Sequence, residues 1–221
     1  MGRTNNQVDY KIGNAILRKS ENERDLGVLV SSNGKFSEQC VLAAKKANAV
    51  LGMIKRNIKF KSMEVIKCLY KALVRPKLEY CVQAWSPYQK KDIDILERVQ
   101  KRATKMISGF HKLSYEQRLQ RLRLIKLEKR RTRGDLIQVY KLMTGIDNMD
   151  YKQFFEINHT GRTRGHRLKL VKKQTRLDIR KHFFSQRVVK PWNYFPNSVV
   201  GAPSLNSFKN RLDQFDKYTD S

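Results

Sequence analysis

Apolar residues recur at helical spacing along most of this 221-residue chain, and the repeat is clearest where it begins, at Ser37. At about 100° per residue, the apolar residues from 40 to 58 fall within one sector of about 120°. They are Cys40, Ala43, Ala44, Ala47, Val50, Leu51, Ile54 and Ile58. A second sector of about 100° holds Lys45, Asn48, Gly52, Lys55, Arg56 and Lys59. The pattern predicts an amphipathic helix from Ser37, its N-cap, to about Ile58.

Gly52 is an unusual residue for the basic face of this helix. A glycine inside a helix costs roughly 1 kcal/mol relative to alanine. The close approach of a binding partner would explain a position without a side chain, so Gly52 indicates a contact surface.

The next segment, from Ser62 to Trp85, is apolar nearly all round and is predicted to form the centre of the core. Ser62 is a candidate N-cap for a helix, and Pro76 is expected to end or kink that helix. The predicted core residues are Leu51, Ile54, Leu73, Tyr80, Trp85, Leu96 and Val99.

A third amphipathic helix is expected from about Asp92. Leu96 and Val99 lie on its apolar side, and the opposite side clusters four basic residues, Arg98, Lys101, Arg102 and Lys105. Ser114 followed by Gln117 matches a capping box, which opens a further helical region. A last short helix is expected after Ser204.

The first 34 residues are the only β-like part of the chain. Short apolar stretches are separated by Gly13-Asn14 and ended by Asn33-Gly34, which favour turns. Two or three strands are marginal alone, so this ribbon should lean on a helix or complete an absent sheet. We therefore expect a mainly α fold with three parts. They are an antiparallel β-ribbon at 1–34, a basic helical bundle at 35–146, and a less regular extension at 147–221 with a basic loop at 160–167 and short helices.

The chain carries 47 Lys and Arg against 20 Asp and Glu, a formal net charge of +27. The charge is concentrated in three blocks. Residues 45–77 hold ten basic residues against one acidic, 98–134 thirteen against two, and 159–190 eleven against one. Such blocks suggest faces that converge on one polyanion, and nucleic acid is the default candidate. The predicted binding residues are Lys45, Lys55, Arg56, Lys59, Arg98, Lys101, Arg102, Lys105, Arg130, Arg131 and Arg133.

The sequence offers no convincing catalytic or metal-binding constellation. Asp92 and Asp94 come nearest, but acidic residues in a first helical turn are explained by its free N–H groups and macrodipole. The four histidines lie far apart among Lys and Arg. Cys40, Cys68 and Cys81 form no C-x-x-C pair and are expected to be buried thiols. We therefore predict no catalytic residue, no metal site and no cofactor in this chain.

No apolar run approaches the ~18 residues of a membrane helix, and the first residues lack the apolar region of a signal peptide. We therefore expect an intracellular protein, in the nucleus or the cytoplasm, without a membrane partner.

Several strings in the chain resemble the reverse transcriptases of non-LTR, LINE-type retrotransposons, close to the jockey-like group. In the first half they are RDLGV at 24–28, AAKKANAVLGMIKR at 43–56, LVRPKLEYCVQAWSPY at 73–88 and LERVQKRATKMI at 96–107. In the second half they are LSYEQRLQRL at 113–122, KRRTRGDLIQVYKLMTG at 129–145, and FFSQRVVKPWNYFP at 183–196 followed by SLNSFKNRLD. The resemblance covers nearly the whole chain in the order of the family.

The resembling part is the C-terminal third of such a polymerase. The resemblance implies that residues 8–31 are the last strands of the palm and that the helix from Ser37 to about Ile58 is a thumb helix along the template–primer duplex. The fingers, the palm with its Mg²⁺-binding Tyr/Phe-x-Asp-Asp motif, and the endonuclease would lie before Met1. Some members also carry a Cys-His knuckle, which this chain cannot build.

The resemblance and the charge pattern together predict a non-catalytic thumb and C-terminal fragment. Its expected partners are RNA or an RNA–DNA duplex, bound largely without regard to sequence, and the missing palm and fingers. An alternative is a basic helical scaffold, kept for protein interaction or RNA packaging.

Overall fold

The computed structural model describes residues 8–159 and 165–219, and the chain is mainly helical with short antiparallel strand pairs near its N-terminus, as the sequence predicts. Residues 1–7 of the predicted ribbon and 160–164 of the predicted basic loop lie outside the described residues. The strands are β1 (Lys11–Ile12), β2 (Ala15–Ile16), β3 (Asn22–Asp25) and β4 (Val28–Ser31). The helices are α1 (Ser37–Asn57), α2 (Met63–Leu69), α3 (Arg75–Glu79), α4 (Lys90–Lys105), α5 (Tyr115–Leu122), α6 (Leu127–Met143), α7 (Asp178–Lys181), α8 (Phe184–Arg187), α9 (Val189–Tyr194), α10 (Asn197–Val200) and α11 (Leu205–Thr219).

The strands form two separate hairpins, β1–β2 and β3–β4. The second hairpin turns at Leu26 and Gly27, both of which have positive φ, the geometry that suits a two-residue turn between twisted strands. Its strand β4 packs on α1 and buries Val28, and the backbone N–H of Leu29 donates a hydrogen bond to Oε1 of Gln39 on that helix at 2.9 Å. The second hairpin thus leans on a helix, as expected of a ribbon too small to stand alone.

The chain divides into two compact units, which differ from the three predicted segments. The first unit contains the residues up to 81 together with 85–127, so the hairpins share a unit with the basic bundle. The second contains 82–84 and the residues from 128 onward. Each unit has its own hydrophobic core.

The first core is built mainly from the apolar faces of α1 and α4, which pack against each other. The predicted core residues Leu51, Ile54, Trp85, Leu96 and Val99 are all buried, which confirms the assignment of both apolar faces. The small side chains of α1 allow close packing, because Ala43, Ala44 and Ala47 are among its buried residues ahead of Leu51.

Two predicted core residues, Leu73 and Tyr80, lie at the surface instead. Leu73 is 42% exposed and Tyr80 is 56% exposed. Leu73 belongs to a π-helical turn at Tyr70–Val74, whose extra residue rotates the following side chains relative to an α-helix. Tyr80 lies outside the core because its hydroxyl donates to the carbonyl of Leu26 at 2.9 Å.

The predicted helix starts are only partly right. Ser62 and Ser114 are N-caps, and Ser114 with Gln117 forms the predicted capping box. Ser37 is not a cap: α1 begins at Ser37 after Phe36, and the Ser37 hydroxyl donates to Oδ2 of Asp92 at 2.7 Å. Pro76 occupies the first turn of α3, directly after the π-helical turn, where its missing N–H costs little.

The cysteine prediction is right for one residue of three. Cys40 is buried in the first core, whereas Cys68 and Cys81 are exposed free thiols.

The second core joins α6 to the C-terminal segments. Tyr140 on α6 stacks on Phe208 of α11 with ring centroids 4.3 Å apart, and its hydroxyl donates to the carbonyl of Ala202 at 2.6 Å. Trp192 is fully buried in the same core, and its Nε1 donates to the carbonyl of Leu168 at 2.8 Å. Ser204 introduces the last helix, as predicted: its side-chain Oγ accepts a hydrogen bond from the backbone N–H of Ser207.

Candidate nucleic-acid interface

The basic sides of α1 and α4 meet at an open groove in the first unit. Its volume is about 440 Å³, and it is lined by Asn48, Leu51, Gly52 and Lys55 from α1, by Arg102 and Lys105 from α4, and by Met106, the residue after α4. The two helices are joined across it, because Nη1 of Arg102 donates to Oδ1 of Asn48 at 3.1 Å. The structure therefore brings together three predicted binding residues, Lys55, Arg102 and Lys105, that lie about fifty residues apart in sequence.

Gly52 opens this groove by having no side chain. A Cβ built at Gly52 would meet only Nη1 of Arg56, at 3.6 Å, which is ordinary van der Waals contact. The Arg56 guanidinium therefore lies over the glycine at the edge of the groove. Because Gly52 has a helical φ, space and not backbone conformation is what the glycine provides.

The three cations that line the groove, Lys55, Arg102 and Lys105, are exposed. Within residues 8–159 and 165–215, none of Lys55, Arg102 and Lys105 forms an ion pair with a carboxylate. Unpaired cations at a shared surface attract phosphate groups, and neutralising those phosphates releases counterions. The groove thus has the charge and the open shape that a nucleic-acid backbone requires.

The remaining predicted cations of the first unit extend this surface. Lys45, Lys59 and Arg98 are exposed, and Nε of Arg98 donates to the carbonyl of Asp94 one turn earlier. Lys101 lies on the side of α4 that faces α5, with its Nζ 5.2 Å from the ring centre of Tyr115. At about 100° per residue, Lys45 and Arg98 lie on the groove sides of α1 and α4, Lys101 lies at the margin, and Lys59 is an exposed residue beyond the end of α1.

The three predicted binding residues on α6 belong to the second unit and do not form such a surface. Arg131 is buried, which makes its assignment as a phosphate contact wrong. Arg133 makes a bidentate ion pair with Asp213, with Nε–Oδ1 and Nη2–Oδ2 distances of 2.6 and 2.9 Å. Arg130 is half-buried and already has an interaction partner. Consecutive residues of a helix point in different directions, so this run of consecutive basic residues does not form a single helix face.

Phe60 is a surface residue that the sequence analysis missed. It is 87% exposed between Lys59 and Lys61, in the loop that follows α1. The loop is held next to the end of α4, because the backbone N–H of Ser108 donates to the carbonyl of Lys61 at 3.0 Å. An exposed ring flanked by two lysines can stack on a base. The signal that could have found it is an aromatic residue between two lysines at a helix break.

A buried polar network beneath the basic face sets the rotation of α4. Gln100 donates to the Tyr115 hydroxyl at 2.8 Å and accepts from the Tyr70 hydroxyl at 2.6 Å, and the Tyr115 hydroxyl donates to Glu97. Burial raises the pKa of Tyr115 well above its usual value, so this residue stays a neutral donor. Because Glu97 and Gln100 are fixed inward, Arg98 and Arg102 are directed outward.

The acidic residues Asp92 and Asp94 have structural roles. Asp92 is buried and accepts from Ser37, and Asp94 pairs with Lys90 at 3.3 Å. Among the described residues, no group of three or more His, Cys, Asp or Glu side chains is arranged to hold a metal ion. In the same part of the chain, no helix is both long and apolar enough to cross a membrane.

Searches of protein-family models, of curated proteins and of solved structures found no match to this chain.

Proposed function

We propose that this chain is a non-catalytic thumb and C-terminal fragment of a LINE-type reverse transcriptase that binds RNA or an RNA–DNA duplex. The observation that carries the nucleic-acid part of this proposal is the α1–α4 groove, where Gly52 leaves space between three cations that have no carboxylate partner among the described residues. The family assignment rests on the sequence resemblance alone. Contacts from such side chains go to phosphate and sugar, so the binding is largely independent of sequence. Mg²⁺ chemistry would belong to the palm of the parent polymerase.

The exposed hairpin β1–β2 is consistent with this proposal. Tyr10, Ile12 and Ile16 are 70%, 71% and 62% exposed, and β1 and β2 pair only with each other among the described residues. A hairpin separated from a larger sheet would expose its apolar side chains in this way. The same surface also suits the alternative function, a basic scaffold that binds another protein, and the two functions differ in whether duplex affinity depends on the groove.

The test is the affinity for an RNA–DNA duplex as a function of salt, measured by fluorescence anisotropy. If six to eight phosphates are neutralised, log K against log salt should have a slope of roughly −4 to −7. Lys55→Gln combined with Lys105→Gln should weaken binding to all sequences alike and reduce the magnitude of the slope by about 2.

The matched control is Lys46→Gln combined with Lys77→Gln, which removes the same charge from the first unit. Both lysines are exposed, and at about 100° per residue Lys46 lies on the side of α1 opposite the groove. This control should reduce affinity far less than the groove variant. Equal losses for the two variants, or a flat salt dependence, would contradict the proposal.

A further inference from the structure

The second unit contains an open pocket of about 890 Å³ that is lined only by its own residues. The buried side chains of Leu136, Val189 and Phe195 contribute apolar walls. Lys172, Lys190 and Tyr194 line it as exposed residues. The volume lies in the range of about 300–1,000 Å³ that is typical of ligand sites, and the residues combine apolar walls with a basic rim.

Tyr194 is the most exposed aromatic ring of this pocket. It is 70% exposed, although it lies at the end of α9 and contacts Phe215 edge to face, with ring centroids 5.8 Å apart. Phe215 in turn contacts Phe195 at 5.2 Å. The ring is therefore held in place by a chain of aromatic contacts while most of its surface remains available for stacking.

Several polar groups around the pocket are already engaged. Arg133 is paired with Asp213, and the Asn193 amide exchanges two hydrogen bonds of 2.8 Å with the backbone of Leu170. Lys172 and Lys190 differ, because neither forms an ion pair with a carboxylate within the described part of the chain. The pocket thus combines an exposed ring with two available cations, which suits a ligand that has a flat ring and negative charge.

We propose that this pocket binds an unstacked base of single-stranded nucleic acid, with the base on Tyr194 and neighbouring phosphates on Lys172 and Lys190. A duplex buries the faces of its bases within the stack, so an aromatic pocket selects single strands over duplexes. The proposal does not depend on the α1–α4 groove, which lies in the first unit.

The first test measures the affinity of the full chain for a fluorescent oligouridine RNA of about 12 nucleotides. Tyr194→Ala should weaken binding about 5- to 150-fold, because stacking on one aromatic side chain has that effect on affinity. Tyr194→Phe keeps the ring and should bind within a factor of two of the parent chain. Since Tyr194 is exposed, both variants should keep the parent's thermal midpoint.

Inorganic polyphosphate and a blunt RNA–DNA duplex provide the matched probes. Tyr194→Ala should leave the affinity for both unchanged, whereas Lys172→Gln with Lys190→Gln should weaken RNA and polyphosphate alike. Lys55→Gln with Lys105→Gln should weaken the duplex, so a failure of the groove and a failure of this pocket give different results. Unchanged RNA affinity in Tyr194→Ala would overturn the proposal.

Photocrosslinking locates the site without any substitution. RNA that carries 4-thiouridine should crosslink to residues 190–195 of the parent chain, as identified by mass spectrometry. Crosslinks confined to other segments would overturn the proposal. A competing glutamate-rich peptide gives the second contradicting result. If the peptide displaces the RNA, and if Tyr194→Ala weakens peptide binding as much as RNA binding, the pocket is an acidic-peptide site and the proposal is overturned.

Discussion

At the scale of single residues, the ion pair between Arg187 and Asp135 shows how the second unit tolerates buried charge. Nε and Nη2 of Arg187 donate to the two carboxylate oxygens at 2.8 and 3.0 Å. The guanidinium also donates to the carbonyls of Val82 and His182, so it holds three segments of the unit together. Burial raises the pKa of Asp135 even though the Arg187 charge opposes this. The charged form of Asp135 is therefore stabilised chiefly by Arg187.

Arg187→Leu should accordingly destabilise the chain by about 3–5 kcal/mol at neutral pH, because the buried carboxylate of Asp135 loses both hydrogen bonds from Arg187 and keeps the weaker electrostatic attraction of Arg131. A raised folded pKa means that the folded state takes up a proton more readily than the unfolded chain. The loss should therefore shrink as the pH falls through the raised pKa of Asp135 towards its usual value near 4. Urea unfolding of the parent chain and of Arg187→Leu at pH 7 and pH 4.5 measures this loss of stability.

Adding Asp135→Asn to Arg187→Leu is the control for this pH dependence. The double variant lacks the titrating carboxyl group, so its difference from the parent chain should vary less with pH. A loss of stability in Arg187→Leu that grows on acidification would contradict the assignment.

Residue-level predictions of burial succeeded where a helix has one apolar face and failed where it has none. Leu96 and Val99 share a face with polar residues opposite, and both are buried. The segment with Leu73 and Tyr80 is apolar nearly all round, so its sequence does not indicate which side faces inward. The π-helical turn at Tyr70–Val74 then decides the outcome, and no local pattern predicts that turn.

At the scale of elements, α1 combines helix stability and binding at one position, Gly52. Gly52→Ala should stabilise the first unit by about 0.5–1 kcal/mol, because alanine is the better helix former and its Cβ meets only Arg56 at van der Waals distance. Gly52→Leu should keep the fold but extend into the groove, and it should weaken duplex binding several-fold. Chemical denaturation and fluorescence anisotropy on both variants measure the two effects.

Gly134 in α6 offers the matched control, because a Cβ there would meet nothing within 4 Å. Gly134→Ala should stabilise the chain to a similar degree without changing duplex affinity. If Gly52→Leu binds duplex as tightly as Gly134→Ala, the glycine does not serve close approach of a partner.

Elements could be predicted from the sequence better than the way they pair. The amphipathic patterns located α1 and α4, and the Ser114–Gln117 capping box located the start of α5. The groove exists only because α1 lies beside α4. The same packing allows Ser37 to donate to Asp92 instead of capping α1. These partners are 55 residues apart, beyond the reach of local periodicity.

At the scale of the whole molecule, the boundary between the units lies inside a helical region that looked continuous. The predicted boundary after 146 followed the loss of periodicity, whereas the structure divides the chain at 127. The reason is that Leu136, Val139 and Leu142 on α6 are buried with the C-terminal segments. Apolar spacing identifies a buried face, but it does not reveal which core buries it.

The whole chain should bind primer–template but add no nucleotide, in the presence of either Mg²⁺ or Mn²⁺. Nucleotide transfer uses divalent ions held by convergent carboxylates. The acidic pair with the shortest sequence spacing in the helical bundle, Asp92 and Asp94, is engaged by Ser37 and Lys90. A primer-extension assay with purified protein measures incorporation, and Asp92→Asn with Asp94→Asn is the control, since asparagine can still accept from Ser37. Template-dependent incorporation that disappears in this control would overturn both the fragment hypothesis and the structural role of the two aspartates. Extension that depends on these carboxylates would require a catalytic site in the bundle itself.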